Sequence, residues 1–167
     1  NYKFINGSIL DKKIILKILN QYKPNYIINF AAHTHVDKSL YEPNLFFKNN
    51  ISGTLNLLEC IKSCKYSGRF IQISTDEVYG ELNWNEKPFN LKSKIDPKNP
   101  YSISKASSDF LVNYFIKNYS LDCIITRCSN NYGVRQNPEK LIPLTIMKAL
   151  SHNPIPIYGN GENIRDW

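Results

Sequence analysis

The chain has 167 residues, 42% of them hydrophobic, enough for one globular domain with a sizeable core. Its formal charge of +7 comes from cations spread along the chain rather than gathered among aromatics, which argues against a surface for polymeric nucleic acid and leaves room for a smaller anion such as a nucleotide diphosphate. No run approaches the ~18 apolar residues of a membrane span and the first residues carry no signal-peptide pattern, so a soluble, cytoplasmic protein is expected, with no membrane partner.

In chain order, Asp11 to Tyr22 carries Ile14, Ile15, Ile18 and Leu19 at helical spacing and is stopped by Pro24. Tyr26 to Ala32 is a short apolar run of strand type, followed by a polar loop to Pro43. Leu45 to Tyr66 is expected as one long helix and Arg69 to Ser74 as the next strand. Glu81 to Asn99, with Pro88 and Pro97, has no periodicity, and a loop of this length in a compact domain is usually functional or mobile. Pro100 opens a helix to about Tyr119, Asp122 to Arg127 is a third strand, Glu139 to Leu150 another helix, and Ile155 to Tyr158 a short final strand. Strands alternating with helices of this length imply βαβ crossovers and a parallel, doubly wound α/β sheet. Cys60 and Cys64 share a helix face and Cys123 and Cys128 fall on a strand pattern, so packed, reduced thiols are expected rather than disulfides.

Ligands of open α/β sheets collect at the carboxyl ends of the strands. There the sequence places Ala31 to Asp37, Ser74 to Glu77 and Ser129 to Gly133, three loops expected to meet at one crevice. Asp76 and Glu77 are adjacent carboxyls; in a dry crevice two such groups do not readily both ionise, so one can serve as acid and the other as base. Tyr101 and Lys105 are four apart, so on a helix the ammonium can lie near the phenol and favour its phenolate, making Tyr101 a candidate base. His33, His35 and Asp37 alternate after the first strand, but no further His or Cys stands at ligand spacing, and no metal is expected. The seven glycines include no two that are three apart, so the Gly-rich turn that seats a dinucleotide pyrophosphate at a helix N-terminus is not within these residues.

The stretches Asn29-Phe-Ala-Ala-His-Thr-His-Val-Asp-Lys-Ser39, Ile73-Ser-Thr-Asp-Glu-Val-Tyr-Gly80, Pro100-Tyr-Ser-Ile-Ser-Lys-Ala-Ser-Ser-Asp109, Cys128-Ser-Asn-Asn-Tyr-Gly133 and Ile164-Arg-Asp-Trp167 resemble the nucleotide-sugar branch of the extended short-chain dehydrogenase/reductases, the NAD-dependent epimerase/dehydratase family, and within it most closely the dTDP-glucose 4,6-dehydratases. Thr-Asp-Glu at the strand end is the specific part. The resemblance implies a Rossmann-like domain of which residues 1–167 form the middle portion, without the N-terminal Gly-rich βαβ unit and the C-terminal substrate segment. It implies NAD as cofactor and dTDP-glucose as substrate, with UDP-glucose as the nearest alternative and a homodimer through a four-helix interface formed from roughly 45–66 and 101–119. Related epimerases or decarboxylases, and an inactive fragment serving at most as an interaction module, are the remaining readings.

By the same resemblance Tyr101 takes the proton of the sugar 4-hydroxyl as hydride passes from carbon 4 to NAD, Lys105 holds the cofactor ribose and lowers the phenol pKa, and Thr75 binds the 4-oxygen. Glu77 removes the proton on carbon 5, Asp76 protonates the departing 6-hydroxyl, and hydride returns to carbon 6. Phe30, Ala31, Ala32 and Asn131 are implied NAD contacts, and Thr34, Asn130, Glu139, Lys140, Pro156, Tyr158 and Arg165 implied contacts of the sugar nucleotide. The chain departs from the family pattern at Ser8, where an acidic residue is usual, at His33, usually Glu, and at Asn49, usually Thr.

Overall fold

The computed structural model describes residues 2–83, 85–157, 159–162, 164 and 166–167. They fall into two compact units, residues 1–127 and 128–167.

In the first unit α1 (Lys12–Tyr22) begins where Asp11 Oδ1 accepts the amides of Lys13 and Ile14 at 2.9 and 3.1 Å, and it ends at Lys23, left-handed at φ 41°, just before Pro24. Its apolar stripe turns Leu19, Ile15 and Leu16 into the core. Strand β1 (Tyr26–Asn29) is shorter than the apolar run suggests. Asn29 ends it by turning its own side chain onto the Ala31 amide at 3.2 Å, which releases Phe30 to Ala32 from the ladder.

The segment expected as a polar loop contains α2 (Val36–Tyr41), too short to show a period. His35 caps it, Nδ1 accepting the Lys38 amide at 3.4 Å, so this histidine has a local structural role. The long helix expected from Leu45 to Tyr66 is three pieces: α3 (Pro43–Phe46), a π-helical stretch Phe47–Ser52, and α4 (Gly53–Ser63). Wide turns of this kind frequently mark functional sites, and this one carries Asn49 and Asn50.

Strand β2 (Arg69–Thr75) runs parallel to β1, with Tyr26 opposite Arg69 and Asn29 opposite Gln72. A 3₁₀ turn, Asp76–Tyr79, follows at once. Gly80 then takes φ 94°, and a Cβ there would stand 2.6 Å from the Asp96 carbonyl oxygen, so only glycine lets the 81–99 loop return so close. No helix or strand forms among the described residues of that loop. Helix α5 (Pro100–Tyr119) opens with a reciprocal cap between Asn99 and Ser102, with Pro100 in the first turn, and closes at Ser120 in the left-handed region. Strand β3 (Cys123–Cys128) completes the sheet order β1-β2-β3. The core is Leu19, Leu57, Leu58, Cys60, Ile61, Phe70, Val112 and Phe115, packed between α1, α4, α5 and the sheet. The four cysteines are free thiols, but only Cys60 is fully buried, with Cys64 and Cys123 half-buried and Cys128 exposed at the end of β3 rather than packed; burial pushes Cys123 up to about 11. No helix among the described residues is long and apolar enough to cross a membrane.

The second unit holds α6 (Leu141–Leu150), which starts two residues later than its pattern suggests because Lys140 still closes a turn onto Asn137. The final strand expected at Ile155 to Tyr158 is not formed by residues 155–157. Pro154 and Pro156 have no N–H to donate to a ladder. Tyr158 itself lies outside the described residues.

Candidate active site

Strand β2 delivers Ser74 and Thr75, both buried, to the carboxyl edge of the sheet. Thr75 caps the 3₁₀ turn: its Oγ1 accepts the Glu77 amide at 3.3 Å and donates to Asp76 Oδ1 at 3.2 Å. The threonine, the aspartate and the glutamate are thus set by one hydroxyl. Both carboxylates remain partly open to solvent.

Asn99, the cap of α5, donates to Glu77 Oε2 at 3.4 Å and so joins that strand end to the helix bearing Tyr101 and Lys105. These two are 8% and 4% exposed, one turn apart on the same face. Lys105 Nζ donates to the Ile73 carbonyl, two residues before Thr75. The Tyr101 ring meets Phe46 edge-on with centroids 6.5 Å apart, and Phe46 packs in turn on the His33 ring at 5.5 Å. Thr75, Asp76, Glu77, Tyr101 and Lys105 are therefore gathered in one place.

Asn50, buried in the π-helical stretch, fixes the loop after β1 against α5. Its Oδ1 accepts the His33 amide at 2.9 Å, and its Nδ2 donates to the His33 carbonyl at 3.0 Å and to Ser104 Oγ at 2.9 Å. Ser104 Oγ donates to the Tyr101 carbonyl at 2.6 Å. Phe30 and Ala31 leave β1 exposed, beside the end of β2, with Ala32 half-buried and Thr34 exposed further along.

Below the site lies a charged pair absent from the sequence reading. Asp109 Oδ2 accepts Ser74 Oγ at 3.0 Å and Arg127 Nε at 2.9 Å, while Arg127 Nη1 donates to the Tyr79 hydroxyl at 2.8 Å. Burial pushes the Asp109 carboxyl above the usual carboxylate range, against the opposing pull of Arg127 and Ser74. Asn50, Asn99 and Asp109 were each open to detection: Asn99 by the Asn-Pro-x-Ser capping pattern, Asp109 by standing four residues beyond Lys105, and Asn50 by being an asparagine inside a helical run.

In the second unit Asn131 Nδ2 donates to the Ser129 carbonyl at 3.1 Å, and Gln136 Nε2 to the Asn131 carbonyl at 2.8 Å. Asn130 holds the Asp166 carbonyl through Nδ2 at 2.9 Å. Glu139 and Lys140 stand side by side ahead of α6, 3.9 Å apart, and Pro156 is exposed. Tyr158 and Arg165 lie outside the described residues.

Comparison with known proteins agrees with this geometry. Residues 1–167 match the model of the GDP-mannose 4,6 dehydratase family. A dTDP-glucose 4,6-dehydratase of Xanthomonas campestris is 44% identical over 98% of the chain and 49% of its own length, and one from Neisseria meningitidis is 43% identical over 99% and 49%. The crystal structure of DesIV, a dTDP-glucose 4,6-dehydratase from Streptomyces venezuelae with NAD and TYD bound, superposes with a TM-score of 0.92 at 39% identity, covering 99% of this chain and 50% of that one. A UDP-glucose 4-epimerase from Thermotoga maritima with UDP-glucose gives 0.91 at 33%, covering 99% and 54%, so the backbone alone does not separate dehydratase from epimerase. The chain spans about half the length of the curated relatives it matches. With a parallel Rossmann-like sheet of the extended short-chain dehydrogenase/reductase type and a family match along its whole length, the chain belongs to the GDP-mannose 4,6 dehydratase family.

Proposed function

We propose that this chain carries the acid–base centre of an NAD-dependent 4,6-dehydratase that converts dTDP-glucose to dTDP-4-keto-6-deoxyglucose. The observation that carries the reading is the juxtaposition of two carboxylates at the end of β2 with a buried tyrosine and lysine at the start of α5, joined through Asn99 and Glu77. Residues 1–167 are then the middle of one catalytic domain, and the enzyme is cytoplasmic, in keeping with its free thiols.

The residues after β1 fit a dinucleotide: Phe30 is 71% exposed at the carboxyl edge of the sheet, and the small side chains of Ala31 and Ala32 leave the backbone open to close approach. Tyr101, Lys105 and Asn131 complete the set that would hold NAD, which when bound supplies a reversible hydride acceptor. Tyr101 takes the proton of the sugar 4-hydroxyl and Thr75 holds that oxygen. Once carbon 4 is a ketone, the proton on carbon 5 is acidic enough for Glu77 to remove, and Asp76 protonates the leaving 6-hydroxyl. Thr34, Asn130, Glu139, Lys140, Pro156, Tyr158 and Arg165 hold the sugar nucleotide, with Lys140 and Arg165 suited to its diphosphate.

UDP-glucose is the competing substrate. Single-turnover formation of the keto sugar by the complete gene product, measured with dTDP-glucose and UDP-glucose in parallel, is expected to be faster with the thymidine nucleotide. No product from either would end the dehydratase reading.

The enzyme is further proposed to be a homodimer through 45–66 and 101–119. Ile103, Phe110 and Tyr114 of α5 form a stripe 40–59% exposed, an apolar face that a second copy would cover. Sedimentation of the complete gene product at micromolar concentration should show a dimer that Phe110→Asp converts to monomer; a monomeric parent protein would refute it.

A further inference from the structure

Tyr101, Lys105 and Asp109 follow one another at successive turns of α5, and all three are buried. The last has no part in the chemistry proposed above. Yet its contacts enclose that chemistry. Lys105 holds the Ile73 carbonyl, and Asp109, one turn on, holds the hydroxyl of the next residue, Ser74, at 3.0 Å. Consecutive turns of the helix thus clamp consecutive residues of β2, immediately before Thr75. On the far side Arg127 of β3, held by Asp109 at 2.9 Å, reaches the Tyr79 hydroxyl at 2.8 Å and lies over its ring at 5.1 Å. Tyr79 closes the 3₁₀ turn that Thr75 opens. It also stacks on Phe89 of the 81–99 loop at 5.2 Å. The segment bearing Thr75, Asp76 and Glu77 is held at both ends, Ser74 and Tyr79, through one carboxylate and its guanidinium.

A purely structural role explains this pair poorly. A buried ion pair is often replaceable by apolar side chains at no loss of stability, and here Asp109 Oδ2 carries both bonds while Oδ1, fully buried, has no partner among the described residues. Arginine rather than lysine suits the arrangement, since a single guanidinium addresses the carboxylate and the phenol at once.

We propose that Asp109, acting through Ser74 on one side and Arg127 and Tyr79 on the other, is a positioning residue that sets the register of the Thr75-Asp76-Glu77 segment against Tyr101 and Lys105. The catalytic half of this inference rests on the dehydratase reading; the bracing half does not.

The test uses Asp109→Asn, Ser74→Ala and Tyr79→Phe in the complete gene product, followed by turnover and by amide hydrogen exchange. Displaced catalytic groups lower the rate with little effect on binding, so kcat should fall by roughly tenfold or more in Asp109→Asn, and less in the two milder variants, with KM nearly unchanged. Amide exchange over residues 75–80 should accelerate about tenfold while α1 (Lys12–Tyr22) keeps its protection, whereas general destabilisation would accelerate both. Should Asp109→Asn fail to fold, Ser74→Ala and Tyr79→Phe decide the matter, because each leaves the ion pair in place. Unchanged exchange over 75–80 in the folded variants, or faster exchange there with unaltered kcat, overturns the proposal. A parent protein that makes no keto sugar removes the dehydratase reading instead, and the exchange measurement still decides whether the segment is braced.

Discussion

Glu77→Gln in the complete gene product is expected to lower kcat for keto-sugar formation by about 10²–10⁴-fold, the range for loss of a positioned general base. Glutamine has the shape of glutamate and keeps an oxygen for the Asn99 amide that now lies 3.4 Å from Oε2, so the 3₁₀ turn and the cap of α5 stay in place. What is lost is the ability to take the proton from carbon 5. KM should therefore change little, and solvent deuterium should no longer enter at carbon 5. Keto-sugar formation within about tenfold of the parent protein would mean that Glu77 is not that base, whereas a parent protein that epimerises the sugar without forming keto product, and keeps doing so as Glu77→Gln, would stand on the epimerase side of its family.

Tyr101→Phe should cost a similar factor, about 10²–10⁴-fold, for a different reason. The ring is 8% exposed and edge-on to Phe46, and phenylalanine preserves that packing, so the variant loses only the hydroxyl. Lys105→Met is a less selective change because it also removes the bond to the Ile73 carbonyl. The two losses separate when the 4-keto sugar nucleotide is supplied ready-made. Tyr101→Phe should then exchange the carbon-5 proton with solvent at near the parental rate, since Glu77 is intact, while Glu77→Gln should not. Equal behaviour of the two variants would mean that the tyrosine and the glutamate do not serve separate steps.

Much of the fold was legible because long elements carry strong periods and caps. Helix α5 begins at Pro100 and ends at Tyr119 as its pattern implies, since the Asn-Pro start is a local signal. Strand β1 stops at Asn29 rather than Ala32 because a side-chain turn ends it, a contact that apolar patterning does not register. The π-helical stretch Phe47–Ser52 is likewise invisible to a 3.6-residue period, being one wide turn set by the demand that Asn50 reach both His33 and Ser104. Ile155 to Ile157 alternates apolar residues as a strand does, but Pro154 and Pro156 remove the N–H groups that a ladder needs. At the site, the residues that bear the chemistry stood out by type and spacing, while those that hold them in place carry local signals that do not reveal their partners. Asn50, Asn99, Asp109 and Arg127 act through partners from 17 to 58 residues away along the chain, and such pairings exist only once the sheet has brought the strand ends together.

Glucose labelled with deuterium on carbon 4, presented as its thymidine diphosphate to the complete gene product, distinguishes the proposed chemistry from every alternative on this backbone. A dehydratase whose acid and base are Asp76 and Glu77 releases a 4-keto-6-deoxy sugar with the deuterium on carbon 6 and a solvent hydrogen on carbon 5. Deuterium back on carbon 4 of an epimerised sugar, or no conversion at all, would contradict it.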